Sequence, residues 1–336
     1  MRSIVIYHGP PPGTKATCVD GAFAAIAADV ALGPDTQFIA SAPNGFLEAR
    51  LEQMIAGQEI PPGSTVYFVD IAPTEENLRM LLDNTSLDTR FVILDHHLTN
   101  VEALKGFENS RVTKYLDNSL SGAALAWKHL VRRNVLADQN ALPWYIQLIS
   151  RMDMGQLKGE DDYAMADAVD KLPIGNMDEI RAAFRFLDGV TPADLAEKGR
   201  PFLKDQERAF NEAWDSRYPV QITEPKIDKV RYRVFAINYN IRSGRWFDYC
   251  LRENSCNSPD QFLVIWSKNP DGTIAISYRS DGTVNVEPIS RQISEWFGLS
   301  AGGHVPASGG RAKNQSDFER VCRRVEGTDP ALVLTA

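Results

Sequence analysis

The stretch "RFVILDHHLTN" (Arg90–Asn100) runs a short apolar segment, Phe91-Val92-Ile93-Leu94, directly into an acid and two histidines. β-Branched and aromatic residues without polar alternation read as a strand buried on both faces, the pattern of a parallel sheet covered on each side by helices. In open α/β sheets, ligands bind outside the carboxyl ends of the strands. Asp95, His96 and His97 stand at such an exit. A single histidine there would read as a loop residue, but three adjacent side chains able to hold a metal ask for company elsewhere in the chain.

Similar runs occur upstream at "SIVIYH", "TQFIASA" and "TVYFVDIA", separated by the helix-like "GAFAAIAADVALG", "GFLEARLEQMIAG" and "TEENLRMLLDNTS". Strand and helix alternating at this pitch imply βαβ units and a doubly wound parallel sheet. Parallel strands bring their carboxyl ends to one edge, so His8, Asp70 and Asp95-His96-His97 should converge. Downstream, "SGAALAWKHLVRRNVL" and "LPWYIQLISRMDMGQL" read as amphipathic helices, the first capped by Ser121 and the second running into Asp153. Residues 175–225 are charged and helical, a connector between a first domain of residues 1–174 and a second of residues 226–336. The second domain reads as a smaller α/β unit. Its strands are "RYRVFAINY", "QFLVIWSK" and "TIAISYRS", an "NPDG" turn joins the last two, "PISRQISEWFG" is a helix and "LSAGGHVPASGGR" a glycine-rich loop.

Composition narrows the possible partners. With 336 residues, two domains are the default. Lys and Arg total 36 against 44 for Asp and Glu, a net charge of −8, which disfavours a protein that grips long duplex DNA by counterion release. Four scattered cysteines without CxxC pairing read as reduced thiols of a cytoplasmic protein. No apolar run approaches the roughly 20 residues of a membrane span. "MRSIVIYHG" reads as a first strand rather than a secretory signal. The sequence is silent on oligomeric state and compatible with a homodimer.

The ligand-type residues are then His8, Asp20, Asp70, Asp95-His96-His97 and Asp153, with Gly302-Gly303-His304 in the second domain. Carboxylates and imidazoles without paired thiolates suit a hard to borderline ion such as Mn²⁺, and two such ions can clamp a phosphoryl group.

With these motifs in hand, the chain resembles the DHH phosphoesterases that carry a C-terminal DHH-associated domain. "VILDHH" is similar to the signature motif, "VYFVDIA" to the aspartate motif before it and "ISRMD" to the one after. "SYRSDGTVNV…AGGHVPASGG" is similar to the arginine strand and glycine-histidine loop of the second domain. The resemblance implies that Asp70 bridges two Mn²⁺ ions, that His8 binds one, and that Asp20, His96 and Asp153 bind the other. It implies that His97 contacts phosphate, that Asp95 orients the neighbouring histidine, and that Arg279, Gly302, Gly303 and His304 hold the substrate. The implied activity is nanoRNase-like: hydrolysis of short oligonucleotides or small nucleotides by metal-activated water. A cyclic-dinucleotide phosphodiesterase, a phosphatase of bisphosphorylated nucleosides and an inactive nucleotide-binding protein are the alternatives.

The first motif departs from the family's common form, in which a histidine is followed four and six residues later by aspartates. Here "YHGPPPGTKATCVDG" carries an insertion and places Cys18 where the first aspartate should stand, as in one branch with a His…Cys-x-Asp-Gly motif. Cys18 reads either as a ligand or as a small buried residue, and Lys15 either as a phosphate contact or as a solvated lysine. Arg279 could instead pair with an acid across the sheet. Ser121 could touch substrate as well as cap its helix, and Trp246 and Phe247 read as core aromatics or as a stacking platform for a base.

Overall fold

A computed structural model describes residues 2–10, 18–43, 45–131, 142–216, 218–222, 233–238, 261–269, 271–280, 285–296, 302–304 and 307–324. Lys15, Trp246 and Phe247 lie outside them. The chain divides into two compact units, Met1–Arg200 and Pro201–Ala336.

The first unit is built on five parallel strands, β1 (Ser3–His8), β2 (Gln37–Ser41), β3 (Thr65–Val69), β4 (Arg90–Asp95) and β5 (Val112–Leu116), in the order β2-β1-β3-β4-β5. All neighbours are parallel. The chain winds outward in both directions from the β1–β3 pair, so that pair is the topological switch point where such sheets open a crevice. One face of the sheet carries Ile4, Ile6, Val66, Phe68, Phe91 and Ile93. These pack against α2 (Gly45–Ala56), α3 (Glu75–Asn84) and α4 (Leu98–Leu104) through Leu47, Leu51, Met54, Leu78, Leu81 and Leu104. The other face packs on α1 (Val19–Leu32) and α5 (Gly122–Ala126). Every residue of α1 from Asp20 to Ala28 is buried, and its run of alanines lets it lie close to the sheet on one side and to further helices on the other.

Three features depart from the sequence reading. β5, "VTKYL", carries no strand signal in the sequence: it is the edge strand, only partly buried, and its Thr and Lys interrupt the apolar run that marks the other strands. "SGAALAWKHLVRRNVL" does not continue as a regular helix, since α5 widens after Ala126 into a π-helical turn, Trp127–Val131. The segment read as a connector is not one body. Within it α8 (Met177–Asp188) belongs to the first unit and is tied to α1 by Arg181, whose guanidinium forms a two-toothed pair with Asp29 at 2.8 and 2.9 Å.

The second unit has a seven-stranded sheet, ordered β10-β11-β9-β8-β7-β6-β12. β6 is Tyr218–Ile222, β7 Arg233–Asn238, β8 Gln261–Lys268, β9 Ile274–Arg279, β10 Gly302–His304, β11 Ala307–Ala312 and β12 Cys322–Arg324. Among the described residues only β7 and β8 of this sheet pair in parallel. β8 and β9 form the hairpin expected from "NPDG". The glycine-rich stretch is a second hairpin rather than a loop, because its glycines take ladder positions in β10 and β11.

No helix among the described residues is long and apolar enough to cross a membrane.

One buried cation closes the end of the first sheet away from the crevice. Arg111, 8% exposed, donates from Nε to the Thr89 carbonyl, from Nη1 to the Leu82 carbonyl and from Nη2 to Thr85 Oγ1, at 3.0, 2.8 and 2.6 Å. Arg111→Ala leaves those acceptors unpaired and should lower unfolding stability by about 2 kcal/mol or more in urea titrations. A loss below about 0.5 kcal/mol, the size of an ordinary surface change, would show that water replaces the guanidinium.

Candidate metal centre

Each ligand-type residue of the first unit sits where a strand or helix ends. His8 is the last residue of β1, Asp70 follows β3, and Asp95 closes β4 with His96 and His97 behind it. Asp20 lies in the first turn of α1, and Asp153 is the last residue of α6 (Trp144–Asp153). The buried face of α6, Tyr145, Ile146, Leu148, Ile149 and Met152, holds that helix against the core and delivers Asp153 to the strand edge.

Asp70 is the centre of the group. It is 1% exposed, and its backbone takes φ 57°, a left-handed conformation that aspartate tolerates better than most residues but which still costs roughly 1–3 kcal/mol. The amide is held there by a 2.9 Å bond to the Leu94 carbonyl of β4. This turn splits the carboxylate between two groups of neighbours. Oδ2 lies 3.3 Å from His8 Nδ1 and 3.5 Å from Cys18 Sγ. Oδ1 lies 3.1 Å from His96 Nε2, which in turn lies 3.7 Å from Asp20 Oδ2 and 3.6 Å from Asp153 Oδ2.

Donor atoms of His8, Cys18 and Asp70 lie within 4.8 Å of one another, as do those of Asp20, His96 and Asp153, and those of Asp70, His96 and His97. The Cys18 thiol donates to Asp70 Oδ2, but the imidazoles of His8 and His96 do not align as hydrogen bonds with the carboxylates. Among the described residues, His8 Nδ1, Asp70 Oδ1 and His96 Nε2 are buried with no hydrogen-bond partner. Buried polar atoms are ordinarily paired. Three converging lone-pair donors left without partners fit a site built for cations, and the mixed oxygen, nitrogen and sulfur set fits divalent metal ions.

Glycines make the approach possible. A Cβ on Gly122 would stand 2.5 Å from Asp70 Cβ and 2.6 Å from its Cγ, and one on Gly21 would stand 2.8 Å from His8 Cβ. α5 therefore abuts the Asp70 carboxylate, and α1 abuts β1, only because these positions lack side chains. The same α5 terminus holds Asp20, whose oxygens accept from the amides of Gly122 at 2.6 Å and Ala123 at 3.1 Å. Ser121 caps α5 by accepting from Ala124 N and is fully buried. Sequence reasoning does not single out Gly122 or Asn100. "SGAA" signals a helix start, but nothing local shows that an acid 102 residues away will use its amides.

Asp95 is wholly buried and serves His97 rather than His96. Its Oδ1 accepts from the amides of His96 and His97 at 2.8 and 3.3 Å and faces His97 Nδ1 at 2.7 Å, while Oδ2 accepts from Asn100 Nδ2 at 2.6 Å. Placing Nδ1–H on Asp95 leaves His97 Nε2 facing outward.

Charge crowding shifts these groups in opposite directions. Burial pushes the Asp20 carboxyl well above the ordinary range, and the charges of Asp70 and Asp153 push it further. Burial disfavours charge on Asp70 as well, yet the flanking His8 and His96 outweigh it and hold that carboxyl well below the ordinary range. For His96, burial works against the imidazolium, and the three carboxylates overcome it to raise the group to about 9. The bond to Asp95 raises His97. Burial, with Asp70 adding to it, pushes the Cys18 thiol well up.

In the second unit, β9 and β11 bring Arg279 opposite Ala307, and β10 brings His304 opposite Ala307 from the other side. Arg279 and His304 thus share one cross-strand row, about 10 Å apart at the usual strand spacing. Gly303 pairs with Ser308 and Gly302 with Gly309. The cross-strand register neighbours of Arg279 are Leu263 and Ala307.

Comparison with known proteins adds a name for part of the chain. Residues 252–328 match the DHHA1 domain. That match takes in β8 to β11 and with them Arg279, Gly302, Gly303 and His304. No curated protein matches the sequence. Among solved structures, the chain is similar to a DHH domain described as that of a member of a family of ribosomal proteins. The two are 16% identical over 95% of this chain and 85% of the other, with a TM-score of 0.54, which shows a common fold. An exopolyphosphatase-related protein from Bacteroides fragilis aligns over 95% of this chain and 91% of its own at 16% identity, TM-score 0.43. An uncharacterized protein from Helicobacter pylori aligns over 95% and 97% at 14% identity, TM-score 0.38.

Two outcomes follow from the geometry. Gly122→Ala should weaken divalent-metal binding about tenfold or more by displacing Asp70, although helix propensity alone favours alanine by about 1 kcal/mol. Calorimetry that finds unchanged affinity would show that α5 yields without disturbing the carboxylate. Protons also compete with the metal, because His96 must be neutral and Asp20 ionised to act as ligands. Both hold protons more firmly than free side chains, so divalent-metal affinity should rise with pH up to and through about 9, where His96 gives up its proton. Below that, binding should release protons, read as a dependence of the calorimetric enthalpy on the ionisation enthalpy of the buffer. Enthalpies independent of buffer would contradict the proton assignment.

Proposed function

We propose that the protein is a metal-dependent phosphoesterase of the DHH type, acting on short oligonucleotides or small nucleotides. The observation that carries this reading is the Asp70 carboxylate, buried at the switch point with one oxygen directed at each of two donor groups. His8, Asp70 and their neighbours would hold one divalent ion, and Asp70, Asp20, His96 and Asp153 a second. Ions bound there would polarise a phosphoryl oxygen and lower the pKa of water. The DHHA1 match and the fold shared with a DHH domain support the same class.

The chain's own residues supply position and proton control. Asp70 sets the spacing of the two donor groups and cannot relax, because β4 and Gly122 fix its backbone and side chain. α5 steers Asp20 through two amides. His97, anchored through Nδ1 by Asp95, which Asn100 holds in turn, would donate from Nε2–H to a phosphate oxygen as the imidazolium that the Asp95 bond favours. Arg279 and His304, in one row with a strand of small residues between them, would take a terminal phosphate. A guanidinium can grip two of its oxygens at once, and the amides of Gly302 and Gly303 allow close approach of an anion. The acidic charge balance of the chain favours a short substrate gripped at a few points over a long strand held by many.

The test is incubation of the full-length protein with Mn²⁺ and a panel of di- to decanucleotides, cyclic dinucleotides and bisphosphorylated nucleosides, with products resolved by chromatography. Cleavage of the short linear substrates is expected. Hydrolysis confined to cyclic dinucleotides or bisphosphorylated nucleosides would replace the substrate class, and inertness toward the whole panel would overturn the enzymatic reading. Asp70→Ala should lower turnover by several orders of magnitude, roughly the share supplied by metal activation, with the far-ultraviolet circular dichroism unchanged. A variant that kept about a tenth of the wild-type rate would sink the shared-carboxylate arrangement.

A further inference from the structure

Cys18 stands at a position where a cysteine is a poor choice for any purely structural task. It is the N-cap of α1, and its Sγ accepts from Gly21 N at 3.3 Å. Helix N-caps favour Ser, Thr, Asp and Asn, and sulfur is a weak acceptor. A cysteine recruited for packing would bury its sulfur among apolar atoms. Here Sγ turns instead toward the Asp70 carboxylate, 3.5 Å from Oδ2.

A second observation, independent of the sulfur, points to a ligand. Asp70 is 1% exposed with Oδ1 unpartnered among the described residues, and His8 Nδ1, 3.3 Å from its other oxygen, is likewise buried and unpartnered. Sulfur, imidazole nitrogen and carboxylate oxygen gather within 4.8 Å. Within that trio the Cys18 thiol donates to Asp70 Oδ2 while His8 Nδ1 stays unpartnered among the described residues, and as a donor set the trio is compact.

The two donor groups differ in chemistry. One offers sulfur, nitrogen and oxygen from Cys18, His8 and Asp70; the other offers two oxygens and a nitrogen from Asp20, Asp153 and His96. Thiolate ligands select Zn²⁺ and similar borderline-to-soft ions, whereas carboxylate-rich sites suit Mn²⁺ and Mg²⁺. We infer that Cys18 binds as a thiolate, so that the His8–Cys18–Asp70 position selects a thiophilic ion such as Zn²⁺ or Co²⁺ while the Asp20–His96–Asp153 position takes a harder one. The inference rests on the two-ion reading above and specifies which ion each position selects. On binding, the S–H bond breaks, its proton passes to solvent and a sulfur–metal bond forms, with no change in oxidation state.

Titration of the full-length protein with Co²⁺, followed by absorption, tests it. The expected result is a near-ultraviolet thiolate-to-cobalt charge-transfer band that saturates with the first site and is missing in Cys18→Ser. Cys18→Ser should also bind Zn²⁺ about tenfold or more weakly at that site while keeping Mn²⁺ at the other. Cys18→Asp, which returns a carboxylate, should shift the first site from Zn²⁺ toward Mn²⁺. Cadmium NMR of the wild type, where a sulfur ligand moves the resonance strongly downfield, gives the same answer without any substitution. Cobalt d–d bands without charge transfer, a charge-transfer band that survives in Cys18→Ser, or equal Zn²⁺ preference in all three proteins would overturn the inference and leave the two-ion reading standing. Failure of the wild type to bind either Mn²⁺ or Co²⁺ in calorimetry would instead remove the two-ion reading, and this inference with it.

Discussion

The first unit is organised around one carboxylate that cannot move. Asp70 leaves β3 in a left-handed turn, is bonded through its amide to β4, and has α5 packed against its side chain at a glycine. Its two oxygens consequently face opposite ways, toward His8 with Cys18 and toward His96. Like charges make this arrangement costly without a cation. Two carboxylates about 4 Å apart repel by roughly 4 kcal/mol at the effective dielectric of a protein near its surface. The raised proton affinities of His96 and Asp20 offset that repulsion. Divalent ions would do so by replacing the protons.

Around this carboxylate the supporting bonds come from elements distant in the chain. α5 gives two amides to Asp20, and Asp95 takes three donors from its own turn and a fourth from Asn100. Bonds to an ionised acceptor are among the stronger ones in proteins. A fully buried Asp95 with all these partners is a rigid base for His97, whose ring is 43% exposed on its outer side. The site thus combines side chains that are locked in place with one imidazole whose outer side is open.

The second unit is built differently. Its sheet is mostly antiparallel and aligns Arg279 and His304 across a strand whose intervening positions are small, Ala307 among them. The DHHA1 match over residues 252–328 covers this row.

Much of this was legible in the chain. Unbroken apolar runs of four to six residues separated by helical periodicity determine a parallel sheet, and a parallel sheet places every strand's carboxyl end on one edge. The convergence of His8, Asp70, Asp95, His96 and His97 follows from that alone, and "ISRMD" brings in Asp153 by the periodicity of α6. Other features were hidden because they depend on neighbours remote in sequence. β5 lacks the apolar signature since an edge strand has one neighbour and little burial. The glycines of β10 and β11 read as a loop because no local property of "AGGH" tells a ladder position from a turn. Cys18 was ambiguous because capping, packing and ligation all accept a small polarisable side chain. The residue types and their order along the chain determined which groups could meet. Register, the left-handed turn at Asp70 and the seating of α5 at Gly122 decided how they meet, because the direction of a lone pair is set by packing between elements that no single segment contains.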